Sequence, residues 1–369
     1  MIDRTIPFRN AGLDALRAAL TLLVVLHHTA ITYGAIGGWY YREVPTNGRL
    51  ETQILVFFCT VNQTFFMGLF FLIAGYFTPP AMARKMPAEF VKDRLLRLGL
   101  PLLIFGVIIG PATIALAAVA RGREFGATLL SLWARGTFEI GPLWFVEALL
   151  IFTLAYVVVR PICVKRRFPS NRIMILAAVV TGVAAFGLRL VWPVGVNAFG
   201  LQIGFFASYV VLFVAGCAGA SAGWLTDVPD GQRNLWRRIT WLAMPVLPSV
   251  VLLSSYMPVL GGDTAGGWNL QAVVYAVWEP MVAWGIILSL LHEFHRRFFR
   301  LGPIWMALAR RAFTIFIIHP PVLVAIALAW RGVAAPPLLK FAVTGGMTCL
   351  ACFWIAGLLL RVPAIRRIV

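Results

Sequence analysis

Largely uncharged stretches of about twenty residues recur along this chain from Leu20 to Leu360, and they constrain its fold more than any other feature. Inside hydrocarbon every backbone N–H and C=O must be satisfied within the protein, so such stretches become helices that cross a bilayer. Blocks of that size run over approximately 11–34, 55–77, 96–119, 142–160, 173–192, 202–222, 239–257, 270–291, 312–330 and 338–360. We therefore expect an all-α, polytopic membrane protein with about ten transmembrane helices. Composition agrees: 60% of the 369 residues are hydrophobic and 12% charged, against about 25% charged in a soluble domain. No polar stretch between the blocks is long enough for a soluble domain, so residues 1–369 read as a single transmembrane domain. The first block carries Arg17, His27 and His28 and reads as a span, not a cleaved leader.

The net charge of +18 invites a nucleic-acid reading, but the placement of the charges argues against it. With the N-terminus inside, 23 of the 32 lysines and arginines fall in the inner segments and eight in the outer ones, Arg17 lying within a span. The inner set includes Arg4, Arg9, Arg160, Lys165 and Arg166. The basic excess thus follows the positive-inside rule and places both termini in the cytoplasm. The cysteines Cys59, Cys163, Cys217, Cys349 and Cys352 lie in or beside apolar blocks. Cys349 and Cys352 are spaced C-x-x-C but have no second pair or neighbouring histidine, so they read as small buried hydrophobes, and no metal site is expected.

Ionisable residues at membrane depth mark function by default, because hydrocarbon penalises them. In the first block Arg17 and His28 are eleven residues apart; at about 100° per residue they share a helix face, roughly 16 Å apart along the axis. That face carries a fixed cation in its inner part and an imidazole near the outer boundary. Asp14, one turn before Arg17, is placed to orient it. Each feature singly also suits a snorkelling arginine or an interfacial histidine. Arg94 and Arg97, in Asp93-Arg94-Leu95-Leu96-Arg97, share a face at the inner boundary. They suit a phosphate, though basic residues at this depth also satisfy topology alone. Glu147, in Leu143-Trp144-Phe145-Val146-Glu147, needs a partner or a proton near the outer boundary. His319, in Ile318-His319-Pro320-Pro321, lies inside the ninth block, and Glu279 reads as a satisfied contact or a helix-end residue.

These segments resemble membrane acyltransferase family 3. Arg17 and His28 match the family's Arg-x10-His in the first span, and Arg94 and Arg97 match its R-x-x-R at a cytoplasmic boundary. Phe70-Phe71-Leu72-Ile73-Ala74-Gly75-Tyr76 matches its aromatic-rich stretch. Leu-Trp-Phe-Val-Glu resembles its fourth-span motif, placing Trp144 and Glu147, although the Trp-Ser-Leu-Ser-Val-Glu-Glu form is absent. His319 resembles a histidine of the branch related to periplasmic-glucan succinyltransferases, and the chain resembles the stand-alone form without an appended periplasmic domain.

The resemblance implies an inner-membrane O-acyltransferase. It would move an acetyl or succinyl group from cytoplasmic acyl-CoA to a hydroxyl of a periplasmic or cell-surface glycan. Acyl-CoA is then the donor substrate, and no permanently bound cofactor is expected. His28, Arg17 and Glu147 are the expected catalytic residues: His28 as general base or transient acyl carrier, Arg17 on the thioester oxyanion or the CoA arm, and Glu147 orienting His28 or the acceptor. Arg94 and Arg97 are expected to hold CoA phosphates, with Asp14, His319 and Trp144 in substrate-binding or supporting roles. Two other readings of the buried polar residues stay open at this stage: a transporter of an anionic substrate, and an acyltransferase acting on lipid.

Overall fold

A computed structural model describes residues 10–159 and 167–368. Cys163 and the basic residues Arg4, Arg9, Arg160, Lys165 and Arg166 lie outside the described residues. Among the described residues, eight helices are long and apolar enough to cross a membrane. In chain order the elements are α1 (Ala11–Thr32), α2 (Leu50–Ala83), α3 (Pro87–Arg121), α4 (Phe125–Ala134), α5 (Gly141–Val159), α6 (Asn171–Val191), α7 (Ile203–Gly219), α8 (Asp230–Ala243), α9 (Val246–Ser254), α10 (Leu270–Arg297), α11 (Pro303–Ala329), α12 (Pro337–Leu359) and α13 (Pro363–Ile368). Two of the ten expected blocks are covered by shorter pieces. Residues 202–222 hold α7, and residues 239–257 straddle the break between α8 and α9 at Pro245. Proline cannot donate to the carbonyl four residues back, so the helix ends there. The last carbonyl of α8, that of Ala243, is taken instead by the Trp278 indole N–H at 2.8 Å.

Glycines set how closely the central helices approach. A β-carbon on Gly75 of α2 would stand 2.1 Å from the Phe213 carbonyl oxygen of α7, and one on Gly216 of α7 would stand 2.1 Å from the Leu72 carbonyl oxygen of α2. The two glycines thus form a reciprocal seam in which backbone meets backbone. On α10, a β-carbon on Gly285 would stand 2.1 Å from Thr240 Oγ1 and 2.4 Å from the Trp236 carbonyl oxygen of α8.

α3 is irregular for a stated reason. It contains two five-residue π segments, Leu95–Gly99 and Phe105–Ile109, each followed within two residues by a proline, Pro101 and Pro111. Pro111 leaves the Val107 carbonyl without its helical donor, and the Trp133 indole N–H of α4 fills that position at 2.8 Å. The first π segment carries Arg97 and follows directly on Arg94.

Charge is also buried. Arg189 of α6 and Glu279 of α10 form an ion pair with both side chains essentially inaccessible. Arg189 Nε also donates to the Gly204 carbonyl at 2.9 Å, and Ser208 donates to Glu279 at 3.2 Å. Glu279 is thus the satisfied contact read from sequence, and its partner is an arginine counted among the outer-segment charges. Lys340, counted the same way, starts α12 and pairs with the largely buried Glu43 of the 33–49 loop.

Candidate functional site

The first and eleventh helices bring the two candidate histidines together. His28 Nδ1 lies 3.0 Å from His319 Nε2, across 291 residues of chain. His319 is fully buried and His28 half-buried. The motif His319-Pro320 explains the arrangement locally. Pro320 has no N–H to give the Phe316 carbonyl four residues back, and His319 Nδ1–H donates to that carbonyl instead at 2.7 Å.

This fixes where the protons sit. A carbonyl only accepts, so His319 carries its proton on Nδ1 and its Nε2 presents a lone pair. The 3.0 Å contact is then donated by His28 Nδ1–H. This pairing leaves the lone pair of the neutral ring on His28 Nε2, and the ring also lies within hydrogen-bonding reach of the Val24 carbonyl one turn earlier. A neutral imidazole held through Nδ1, with its lone pair on Nε2, has the form of a general base. His27, one residue earlier, points elsewhere and stacks on Phe66 at 4.8 Å, as helical geometry requires.

A cavity of about 290 Å³ opens against the same helices. Arg17, Arg94 and Arg97 all line it, as does Phe316, whose carbonyl holds His319, and its walls are largely aromatic and aliphatic. Arg17 lies 3.6 Å from Asp14, the residue read as its orienting partner. Arg94 and Arg97 have no carboxylate partner among the described residues. Asp93 pairs instead with Lys85, and Arg94 rests over the Phe90 ring at 4.7 Å while its Nε is buried without an acceptor. Two unneutralised guanidinium groups on one apolar cavity favour an anionic ligand there.

Glu147 stands apart from the histidine pair. It makes no hydrogen bond to either ring among the described residues. Its Oε2 is buried without a partner, 3.6 Å from where a β-carbon on Gly200 would stand. Trp144 stacks on Tyr209 at 5.6 Å, and Tyr209 accepts from Gln63 at 3.0 Å. The neighbouring Phe145 and Val146 do line the cavity.

Sequence reasoning did not single out Trp39. It lies in the loop 33–49 with its indole stacked 4.1 Å above the His28 ring at 12°. The next residue, Tyr40, donates to Glu139 at 3.4 Å. Burial, and then the adjacent Glu139 carboxylate, push the Tyr40 hydroxyl well above its ordinary pKa and keep it a donor.

Fold and site together define a multi-pass helical membrane protein with an oriented imidazole pair beside a cationic cavity. A family model described as an acyltransferase domain matches residues 10–357. The chain belongs to this family, membrane acyltransferase family 3, and is an acyltransferase. No curated protein and no solved structure matches it.

Proposed function

We propose that this acyltransferase transfers an acetyl or succinyl group from acyl-CoA to a hydroxyl of a glycan on the opposite side of the cytoplasmic membrane, with both termini on the acyl-CoA side. The observation that carries this reading is the 3.0 Å contact of His28 Nδ1 with His319 Nε2, which leaves the other ring nitrogen of His28 to act as the base. His28 Nε2 takes the proton of the acceptor hydroxyl, and the hydroxyl oxygen attacks the thioester carbonyl. The tetrahedral species collapses by breaking the C–S bond, and the thiolate leaves with the proton returned by the imidazolium. His319 acts through His28, holding its Nδ1–H as the orienting member of a triad does.

The cavity suits the donor. Arg94 and Arg97 take CoA phosphates, and the apolar walls accept the pantetheine arm. Of the two roles considered for Arg17, geometry favours the CoA arm. Its α-carbon lies roughly 16 Å along α1 from that of His28, and helical side chains lean toward the N-terminus, away from His28. Glu147 is assigned to the acceptor, because a buried carboxylate oxygen without a donor suits a sugar hydroxyl.

Mass spectrometry of surface and periplasmic glycans tests the reading, comparing cells with the wild-type gene, with His28→Ala and with no gene. An acyl mass increment present only with the wild type is expected. Acylation retained in His28→Ala at equal protein level overturns the base assignment.

A further inference from the structure

The two histidine rings and Trp39 form one stacked unit. His28 and His319 meet edge to edge, with their planes 15° apart and their centroids 5.1 Å apart. The Trp39 indole lies parallel to both, 4.1 Å from the His28 centroid at 12° and 5.9 Å from the His319 centroid at 11°. It therefore roofs the hydrogen-bonded pair, covering His28 most closely.

The loop that carries this roof is tied down on several sides. Tyr33 hydrogen-bonds Thr344 at 2.8 Å, Thr46 donates to the Gly34 carbonyl at 2.7 Å, Glu43 pairs with Lys340, and Tyr40 reaches Glu139. The indole N–H, by contrast, is buried with no acceptor. A buried donor without a partner is unfavourable, so a hydrogen bond does not explain the placement of the ring. What the ring offers His28 is its π face.

We propose that Trp39 is a positioning residue for acyl transfer whose indole face stabilises the imidazolium that His28 becomes. This rests on the reading of His28 as general base. In the resting enzyme His28 is neutral and the face has little charge to attract. As the acceptor O–H bond breaks and its proton moves to His28 Nε2, a cation forms about 4 Å beneath the best cation-binding ring among the side chains. The attraction is thus stronger in the transition state than in the ground state, and it acts on kcat and not on substrate affinity.

The test replaces Trp39 in the full chain with tryptophans bearing one, two and three ring fluorines, introduced by nonsense suppression. Fluorine drains the π face while nearly keeping the size of the ring. Membrane vesicles carrying each variant receive radiolabelled acetyl-CoA or succinyl-CoA in turn, and label in the extracted glycan is measured, with His28→Ala alongside. We expect kcat to fall stepwise, by about tenfold over the series, with KM for the acyl-CoA steady. A role in packing alone would leave kcat level. A level series in an enzyme silenced by His28→Ala overturns the Trp39 proposal and leaves the base reading standing. Activity that survives His28→Ala overturns both.

Discussion

His319→Phe separates the role of the second histidine from that of the first. It keeps an aromatic ring under Trp39 but removes the acceptor of His28 Nδ1–H, 3.0 Å away in the native site. A buried donor deprived of its partner costs about 1–3 kcal/mol. If His28 is the base we propose, that cost falls on its orientation and tautomer. At 1.36 kcal/mol per tenfold in rate, the expected loss in kcat is about 5- to 150-fold. His28→Ala removes the base itself, and its loss should lie in the range of about 10²–10⁴ given by general-base catalysis. Because His319 acts through His28, the double variant should be no slower than His28→Ala alone. KM for acyl-CoA should not move, since the arginines we propose as its phosphate ligands, Arg94 and Arg97, are untouched. The assay is initial-rate label transfer from acyl-CoA in membrane vesicles, normalised to protein that elutes as a single species in detergent. Losses that add in the double variant would refute the argument, as would a His319→Phe enzyme at wild-type kcat.

Arg94→Ala with Arg97→Ala should raise KM for acyl-CoA with kcat largely retained, measured by the same transfer assay; an unchanged KM returns both arginines to topology. Gly75→Ala should destabilise the protein by about 1–3 kcal/mol, because its β-carbon would meet the rigid backbone of Phe213 and Cys217. Thermal aggregation in detergent would show the drop, and an unshifted midpoint would contradict the seam. Arg189→Met should cost about 3–5 kcal/mol by stranding Glu279, while Arg189→Met with Glu279→Leu should recover most of it. If denaturation in mixed micelles shows the double variant as unstable as the single, the pair does more than balance charge.

Much of the fold was legible because hydrocarbon leaves one solution for an apolar block, and spacing on one helix is plain arithmetic. Arg17 and His28 share a face by their eleven-residue interval, and the 3.6 Å contact from Asp14 to Arg17 follows from their one-turn separation. Prolines inside the blocks read as ordinary for membrane helices, so neither the break at Pro245 nor the carbonyls that prolines free were foreseen. That Pro111 would expose the Val107 carbonyl to Trp133, or Pro320 the Phe316 carbonyl to His319, depends on which donor stands nearby. Pairings between distant helices were not legible at all. His319 and Glu147 looked alike in sequence as isolated polar residues at depth, and only the packing of α11 on α1 makes His319 the partner of His28. Arg189 and Lys340 read as outer-loop charges because each sits near a block end, where exposed and buried positions share one pattern. Trp39 lies in a loop among many aromatics, and no periodicity distinguishes it.

The separation of the two histidines has a consequence for biogenesis. The chain enters the membrane from its N-terminus, and the helices that pack on α1 include α10, α11 and α12, all made long after it. At about 5–20 residues per second, the 291 residues between His28 and His319 take on the order of 15–60 s to synthesise. Through that interval the first span holds an imidazole without its mate, and Glu43 waits likewise for Lys340. No fragment ending before α11 can carry the His28–His319 pair. If His28 is the base we propose, acyl transfer begins only once α11 has been inserted beside α1, and shorter products left in the membrane are inactive.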